Sequence, residues 1–252
     1  MMLIMGALVI IYLIIFACVF GGALLGVYLR GVLPEEHLSG DSKDTVRLGM
    51  GLIGTMAALV LGLLVASAKN FYDTQTSELI GMSAKIVLLD RVLAHYGPET
   101  KEARDLLRSA VARALDRLWS KGRRQLLQTQ PGEIIYDKIQ ELSPKNDAQR
   151  SFQAQASNIA IDIGKARWLM FEQRGSFISV PLLVVLVLWL AIIFISFGLF
   201  APLNATVMAT LFVCALSVSA AIFLILAMYT PFQGMMQISS SPLRSALAHL
   251  GQ

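Results

Sequence analysis

The sequence predicts an all-α integral membrane protein, with four transmembrane helices and a helical insert between the second and the third. Three observations carry this. Apolar residues make up 56% of the 252 positions and charged residues only 15%, where ordinary globular chains carry about 25% charged residues. The charges are segregated, leaving four uncharged blocks at 1–28, 48–68, 177–203 and 205–229. Each block exceeds the ~20 residues a helix needs to span a bilayer. No strand-type alternation and no internal repeat interrupts the helical periodicities.

The first block could be a secretory leader. It lacks a basic leading region, and its apolar run far exceeds the ~7–15 residues of such signals, so it is expected to be a span. Residues 1–68 then hold spans one and two with a short polar loop at 29–47. Residues 69–175 form the insert, 176–229 hold spans three and four, and 230–252 form a tail. Four spans put both termini and the insert on one side. That side carries 18 of the 21 Lys and Arg residues, the other only Arg30, Lys43 and Arg47. Lys69 and Arg174 flank spans two and three on the basic side. Basic loops stay in the cytoplasm, so the termini and the insert are expected there.

Within the insert, apolar residues recur at spacings of three and four. Leu79, Met82, Ile86, Leu89 and Leu93 form one stripe, ended by Gly97-Pro98. Leu107, Ala110, Ala114 and Leu118 form a second, and Gln130-Pro131-Gly132 breaks the chain after it. A short helix is expected at 133–142 and a long one from about Asp147 through Trp168. In the tail, Ser241 as cap with Pro242 at the first helical position predicts a short helix. Its face of Leu243, Ala246, Leu247 and Leu250 is expected to pack on the insert.

The spacings of Arg104, Arg108, Arg113, Arg117 and Lys121 are expected to make a basic stripe on the second insert helix, and the insert carries 17 basic and 13 acidic residues. One reading is an electropositive vestibule that concentrates anions; the other is a solvated helix face near an anionic leaflet. Aromatic interleaving suited to nucleic acid is missing.

The membrane blocks contain no Asp, Glu, Lys, Arg or His. Proton relays, coupled transporters and voltage sensors need such groups in the bilayer. No nucleophile with a base and no phosphate-binding loop appears, so no enzymatic activity, cofactor or metal is expected. Cys18 and Cys214 are expected to be small core residues, and His37, His95 and His249 surface residues. In the second span Gly54, Ala58, Gly62 and Ala66 repeat every four residues. Such a stripe lets helix backbones approach closely, or it forms a pore face without bulky obstruction.

At the end of the second span the chain reads Leu63-Leu64-Val65, then Lys69-Asn70-Phe71-Tyr72-Asp73. The fourth span is followed by Thr230-Pro231-Phe232-Gln233-Gly234, then Ser241-Pro242-Leu243 and Leu250-Gly251. Ser196-Phe197-Gly198 and Pro202-Leu203-Asn204 close the third. Together these resemble the bestrophin superfamily, and within it a bacterial bestrophin-like membrane family. The resemblance implies a pentameric channel with four spans per subunit and a helical cytoplasmic region. It implies a pore lined by the second span, with candidates Thr55, Ala58, Leu59, Gly62, Leu63 and Ala66, and structural roles for Tyr72, Asp73, Pro231, Phe232 and Gly234. Two departures stand out. The neck levels at Ala58, Gly62 and Ala66 carry small side chains where bestrophins carry bulky ones. No Asp or Glu follows Glu172, so the calcium site of animal bestrophins, which needs about six to eight oxygen ligands, is not expected.

The leading expectation is a homo-oligomeric, anion-preferring ion channel whose partners are itself, membrane lipids and small inorganic ions. The alternative is a non-conducting scaffold or signalling protein whose insert docks a partner; a motor-stator subunit is disfavoured by the missing membrane carboxylates. The topology is tested by cysteine labelling. Ser39→Cys is expected to react with an impermeant reagent from the periplasmic side and Gln130→Cys is not; the reverse pattern overturns the orientation.

Overall fold

In a computed structural model of the chain, residues 2–34, 40–119, 131–172, 179–202, 204–232, 234 and 236–251 are described. His37, Ser39, Lys121, Gln130, Arg174, Leu203 and Gln233 lie outside them. The described residues are helical, with no strand among them. In chain order the α-helices are α1 (Met2–Val32), α2 (Gly40–Tyr96), α3 (Lys101–Trp119), α4 (Pro131–Gln140), α5 (Asp147–Glu172), α6 (Val180–Phe200), α7 (Ala205–Met228) and α8 (Ser241–His249), with a 3₁₀ turn at Pro98–Thr100. Four helices are long and apolar enough to cross a membrane: Gly6–Val32, Ser42–Tyr96, Val180–Phe200 and Ala205–Met228. α1 runs to Val32 and α2 starts at Gly40, so both helices extend into the range of the expected polar loop. The second span and the first insert helix are one unbroken α2, because no Gly or Pro interrupts 63–96 apart from Gly81, and an isolated Gly is tolerated in a helix.

The chain forms two compact units. One comprises Met2–Tyr72 and Phe177–Thr230; the other Asp73–Ser176 and Pro231–Gln252. In the first, α1 packs closely on α6. A methyl group on Gly26 would overlap the Ile195 carbonyl, and one on Gly198 the Ala23 carbonyl. At Gly22 it would lie 2.9 Å from the Ala191 carbonyl oxygen. Glycine therefore sets how near the two backbones come, as small residues do where helices cross in membranes. Phe212 of α7 meets Phe16 and Phe20 of α1 edge-on at 5.5 and 5.4 Å, and Tyr12 meets Phe223 at 5.9 Å. Arg30 donates to the Ala201 carbonyl at the end of α6, where a cation satisfies the exposed helix terminus. Asn204 caps α7 by accepting from the Val207 N–H at 2.8 Å. Cys18 and Cys214 are exposed, which corrects the expectation of core positions: they sit on outward-facing sides of α1 and α7.

The second unit has its own core of Ile86, Leu89, Leu93, Leu107, Val111, Ile135, Ile139, Leu243, Ala246 and Leu250, with Met82, Ala110, Ala114 and Leu247 packed against it. The tail helix α8 thus packs with the insert helices as its apolar face implies. Its cap is Ser240, one residue before the expected Ser241; the Ser241 N–H donates to Ser239 Oγ at 3.1 Å. α2 ends at Gly97, whose φ of 137° suits glycine, and Thr100 Oγ1 donates to the freed Leu93 carbonyl at 2.6 Å. α5 starts on Asn146, whose side chain accepts from the Gln149 N–H at 2.8 Å. It runs antiparallel to α2: Gln149 Nε2 donates to the Tyr96 carbonyl, His95 stacks on Phe152, and Lys85 pairs with Asp162 at 3.2 Å. His95 and His249 are exposed.

The glycine crossing yields a paired test. Gly26→Ala and Gly198→Ala are expected to destabilise the subunit by at least the ~1–3 kcal/mol typical of overpacking. Gly62→Ala, which meets open space within the chain, should not destabilise it, because alanine favours the helix by up to about 1 kcal/mol over glycine. Thermal unfolding in mild detergent reads the difference.

Candidate functional site

The candidate pore face is built on α2. On a helix, positions spaced by three and four share a face. Ala57, Leu64 and Ala68 are buried and Val60 and Leu61 partly so against the core of the first unit. Along these residues the span packs against the rest of its own chain. The opposite face is open. Leu48, Leu52, Thr55, Leu59, Gly62 and Ala66 are all exposed, Leu48 by 78% and Leu59 by 75%. Ala58 and Leu63 beside them are exposed as well. The same three-and-four spacing of exposed residues continues through Asn70, Asp73, Ser77, Ile80, Ala84 and Leu88.

All six pore-lining candidates therefore lie on the uncovered side of α2. The small-residue stripe was open to two readings. Packing inside the subunit is excluded at Gly54 and Gly62, where an added methyl would meet nothing within 4 Å. The small residues that do bring helices together are Gly22, Gly26 and Gly198. The Gly22-x-x-x-Gly26 spacing in the first span was the signal for this, overlooked beside the longer repeat in the second.

The basic candidates do not form one stripe. Arg104 and Arg108 lie roughly half a helical turn from Arg113 and Arg117, because nine residues advance the helix by about two and a half turns. The pairs flank opposite sides of the buried face of Ala103, Leu107 and Val111. Arg108, Arg113 and Arg117 are exposed; Lys121 lies outside the described residues. Arg104 is committed elsewhere. Its Nε and Nη2 donate to the two carboxylate oxygens of Asp90 at 2.8 and 2.9 Å. The Asp90 side chain is 1% exposed and that of Arg104 22%. Hydrogen bonding to Asp90 raises the Arg104 pKa further, against the opposing effect of burial. Asp90 also accepts from the Gly251 N–H at 3.3 Å, so this pair ties α2, α3 and the end of the tail.

The family-motif residues lie on α2 and in the loop before α8. Tyr72 is half-buried and Asp73 exposed on α2. Pro231 and Phe232 are buried. The Pro231 carbonyl accepts from the Ile238 N–H at 2.8 Å and Gly234 has φ 98°, which closes the loop before α8. Trp119 clamps that loop, meeting Phe232 edge-on and donating to the Ile238 carbonyl at 2.9 Å.

A cavity of about 310 Å³ opens in the second unit, lined by Tyr96, Glu99, Glu102, Lys138, Glu141 and Lys145 among others. Its charges satisfy one another. Lys145 pairs with Glu99 at 2.9 Å, holding that carboxyl below and its own ammonium above their usual ranges. Lys138 bridges Glu141 and Glu102 at 3.0 and 3.4 Å and is likewise raised. Burial pushes the Tyr96 phenol up. Among the described residues no group of three or more His, Cys, Asp or Glu could hold a metal ion.

Removing the Arg104 guanidinium strands a buried carboxylate. Arg104→Ala is expected to cost on the order of 3 kcal/mol, whereas Arg113→Ala should change stability by less than about 0.5 kcal/mol. Chemical denaturation followed by tryptophan emission distinguishes them.

No curated protein and no solved structure matches the chain. A family model described as a Bestrophin-like domain matches residues 17–243. That match begins within α1, takes in the other three membrane-capable helices and ends in α8, so the chain is a multi-pass membrane protein that belongs to the bestrophin-like family.

Proposed function

We propose that the protein is a homo-oligomeric ion channel, with several copies of α2 presenting their exposed face to a common axis. The observation that carries this is the two-sided character of α2. One side is seated on its own subunit along Ala57, Leu61, Leu64 and Ala68. The other, through Thr55, Leu59, Gly62 and Ala66, is uncovered. Family membership supports the same arrangement, since bestrophins are channels rather than enzymes, and the resemblance suggests a pentamer. The proposed setting is a bacterial inner membrane, with termini and insert in the cytoplasm on the strength of the basic-residue asymmetry.

The expectation of anion preference rested on a basic vestibule. With Arg104 bound to Asp90 and the remaining arginines split between two flanks of α3, that support rests, among the described residues, on Arg108, Arg113 and Arg117. Anion conduction is retained as the finer proposal on those residues and on family resemblance. Planar-bilayer recordings in asymmetric chloride test it through the sign of the reversal potential.

The pore face is tested at Gly62. Leucine there adds four carbons per subunit, and a ring of apolar side chains blocks ions by dewetting. Gly62→Leu is expected to cut single-channel current by at least tenfold with the oligomer intact by native mass spectrometry. Unchanged current in an intact oligomer removes α2 from the pore. A parent protein that is a 27.5 kDa monomer in mild detergent, or an oligomer that carries no current, returns the reading to a membrane scaffold.

A further inference from the structure

We propose that Tyr229 is a positioning residue for the pore helix, a stop that fixes the rotation of α2 about its own axis. This rests on the reading of α2 as the pore lining. Tyr229 follows directly on α7, and its backbone N–H donates to the Leu226 and Ala227 carbonyls. Thr230 beside it donates through both its N–H and its hydroxyl to the Ala227 carbonyl, at 3.1 and 3.0 Å. The ring is thus carried on a pinned helix end. Its hydroxyl lies 3.1 Å from the Ser67 hydroxyl. Its face stacks on Phe71 with centroids 5.2 Å apart and planes 27° from parallel. Ser67 and Phe71 are one turn apart on α2, so Tyr229 grips two successive levels of that helix.

The grip adds a polar and an aromatic contact to the aliphatic line along which the membrane segment of α2 is seated. The line by which α2 meets its own subunit consists of Ala57, Val60, Leu61, Leu64 and Ala68. These aliphatic side chains offer neither hydrogen bonds nor glycine-level backbone contact. α1, α6 and α7, by contrast, are interlocked by the glycine crossing and the aromatic cluster. On the open face small and bulky residues lie side by side: Gly62 and Ala66 next to Leu59 and Leu63. Neighbouring positions are separated by about 100° around the helix. A partial turn of the membrane segment of α2 therefore exchanges Gly62 for Leu63 at the axis, and a wide level for a dewetted one. Ser67 lies one turn beyond Leu63, so the hydroxyl pair sits one turn from the level it controls.

The test uses the full-length oligomer with Cys18→Ser and Cys214→Ser as background, and a small water-soluble thiol reagent. Gly62→Cys is expected to react readily and Leu63→Cys slowly. Adding Tyr229→Ala should raise the rate at Leu63→Cys and lower the single-channel open probability. Tyr229→Phe and Ser67→Ala, which remove only the hydroxyl contact, should raise the same rate by roughly two- to tenfold, the shift one lost hydrogen bond permits. Those milder variants decide the matter should Tyr229→Ala fail to assemble. An intact, conducting oligomer whose labelling pattern is indifferent to all three changes overturns the proposal while leaving the pore reading in place. If neither cysteine reacts and the parent carries no current, the pore reading falls and this proposal with it.

Discussion

The near-contact of backbones where α1 crosses α6 is the constraint on which the membrane part of this protein depends. Between helices in lipid there is no hydrophobic driving force, so association rests on close packing and on polar contacts. Gly26 and Gly198 let each helix rest against the carbonyls of the other, and no side chain larger than hydrogen fits there. With that crossing made, Phe16 and Phe20 form a surface on which Phe212 of α7 is seated. The result is a three-helix body. α2 adheres to it along a narrow aliphatic line and turns its remaining surface outward. A helix with that distribution has contacts left to make, and in the channel reading they are made around an axis by further copies of the same helix.

The second unit is organised by a different interaction. A carboxylate that is 1% exposed is tolerable only when paired and hydrogen-bonded. Asp90 meets that condition through the Arg104 guanidinium and the Gly251 N–H. This changes how the charge of the insert is to be understood. Seventeen basic and thirteen acidic residues describe a composition; the field near α3 depends on which of them remain uncommitted. Arg104 does not, and the other arginines divide between two flanks of the helix.

Several of the residues by which the chain resembles bestrophins prove to have local mechanical duties. Asn204 caps α7, Gly198 admits the α1 backbone, Pro231 and Gly234 close a loop, and Phe232 is clamped by Trp119. None of these duties is chemical. They are what a scaffold needs in order to hold long helices in fixed register.

Much of this was legible in the residue order. Four uncharged blocks longer than a bilayer is thick can do little other than span it, and periodicity marked the buried stripes at Leu79–Leu93 and at Leu243–Leu250 because burial repeats with the helix itself. Those are local properties, carried by spacing along one element. What the order of residues left open were choices between partners. The repeat Gly54, Ala58, Gly62, Ala66 satisfies close packing and an open pore face equally well, and Gly22-x-x-x-Gly26 has the same form. Only the tertiary structure assigned contact to the second pair and open space to the first. Likewise, Arg104 is one more basic residue in a charged run until the fold brings Asp90, from another helix, to 2.8 Å. Spacing tells which face of a helix a residue occupies; what stands opposite that face depends on residues distant in the chain, and only the folded arrangement brings those together.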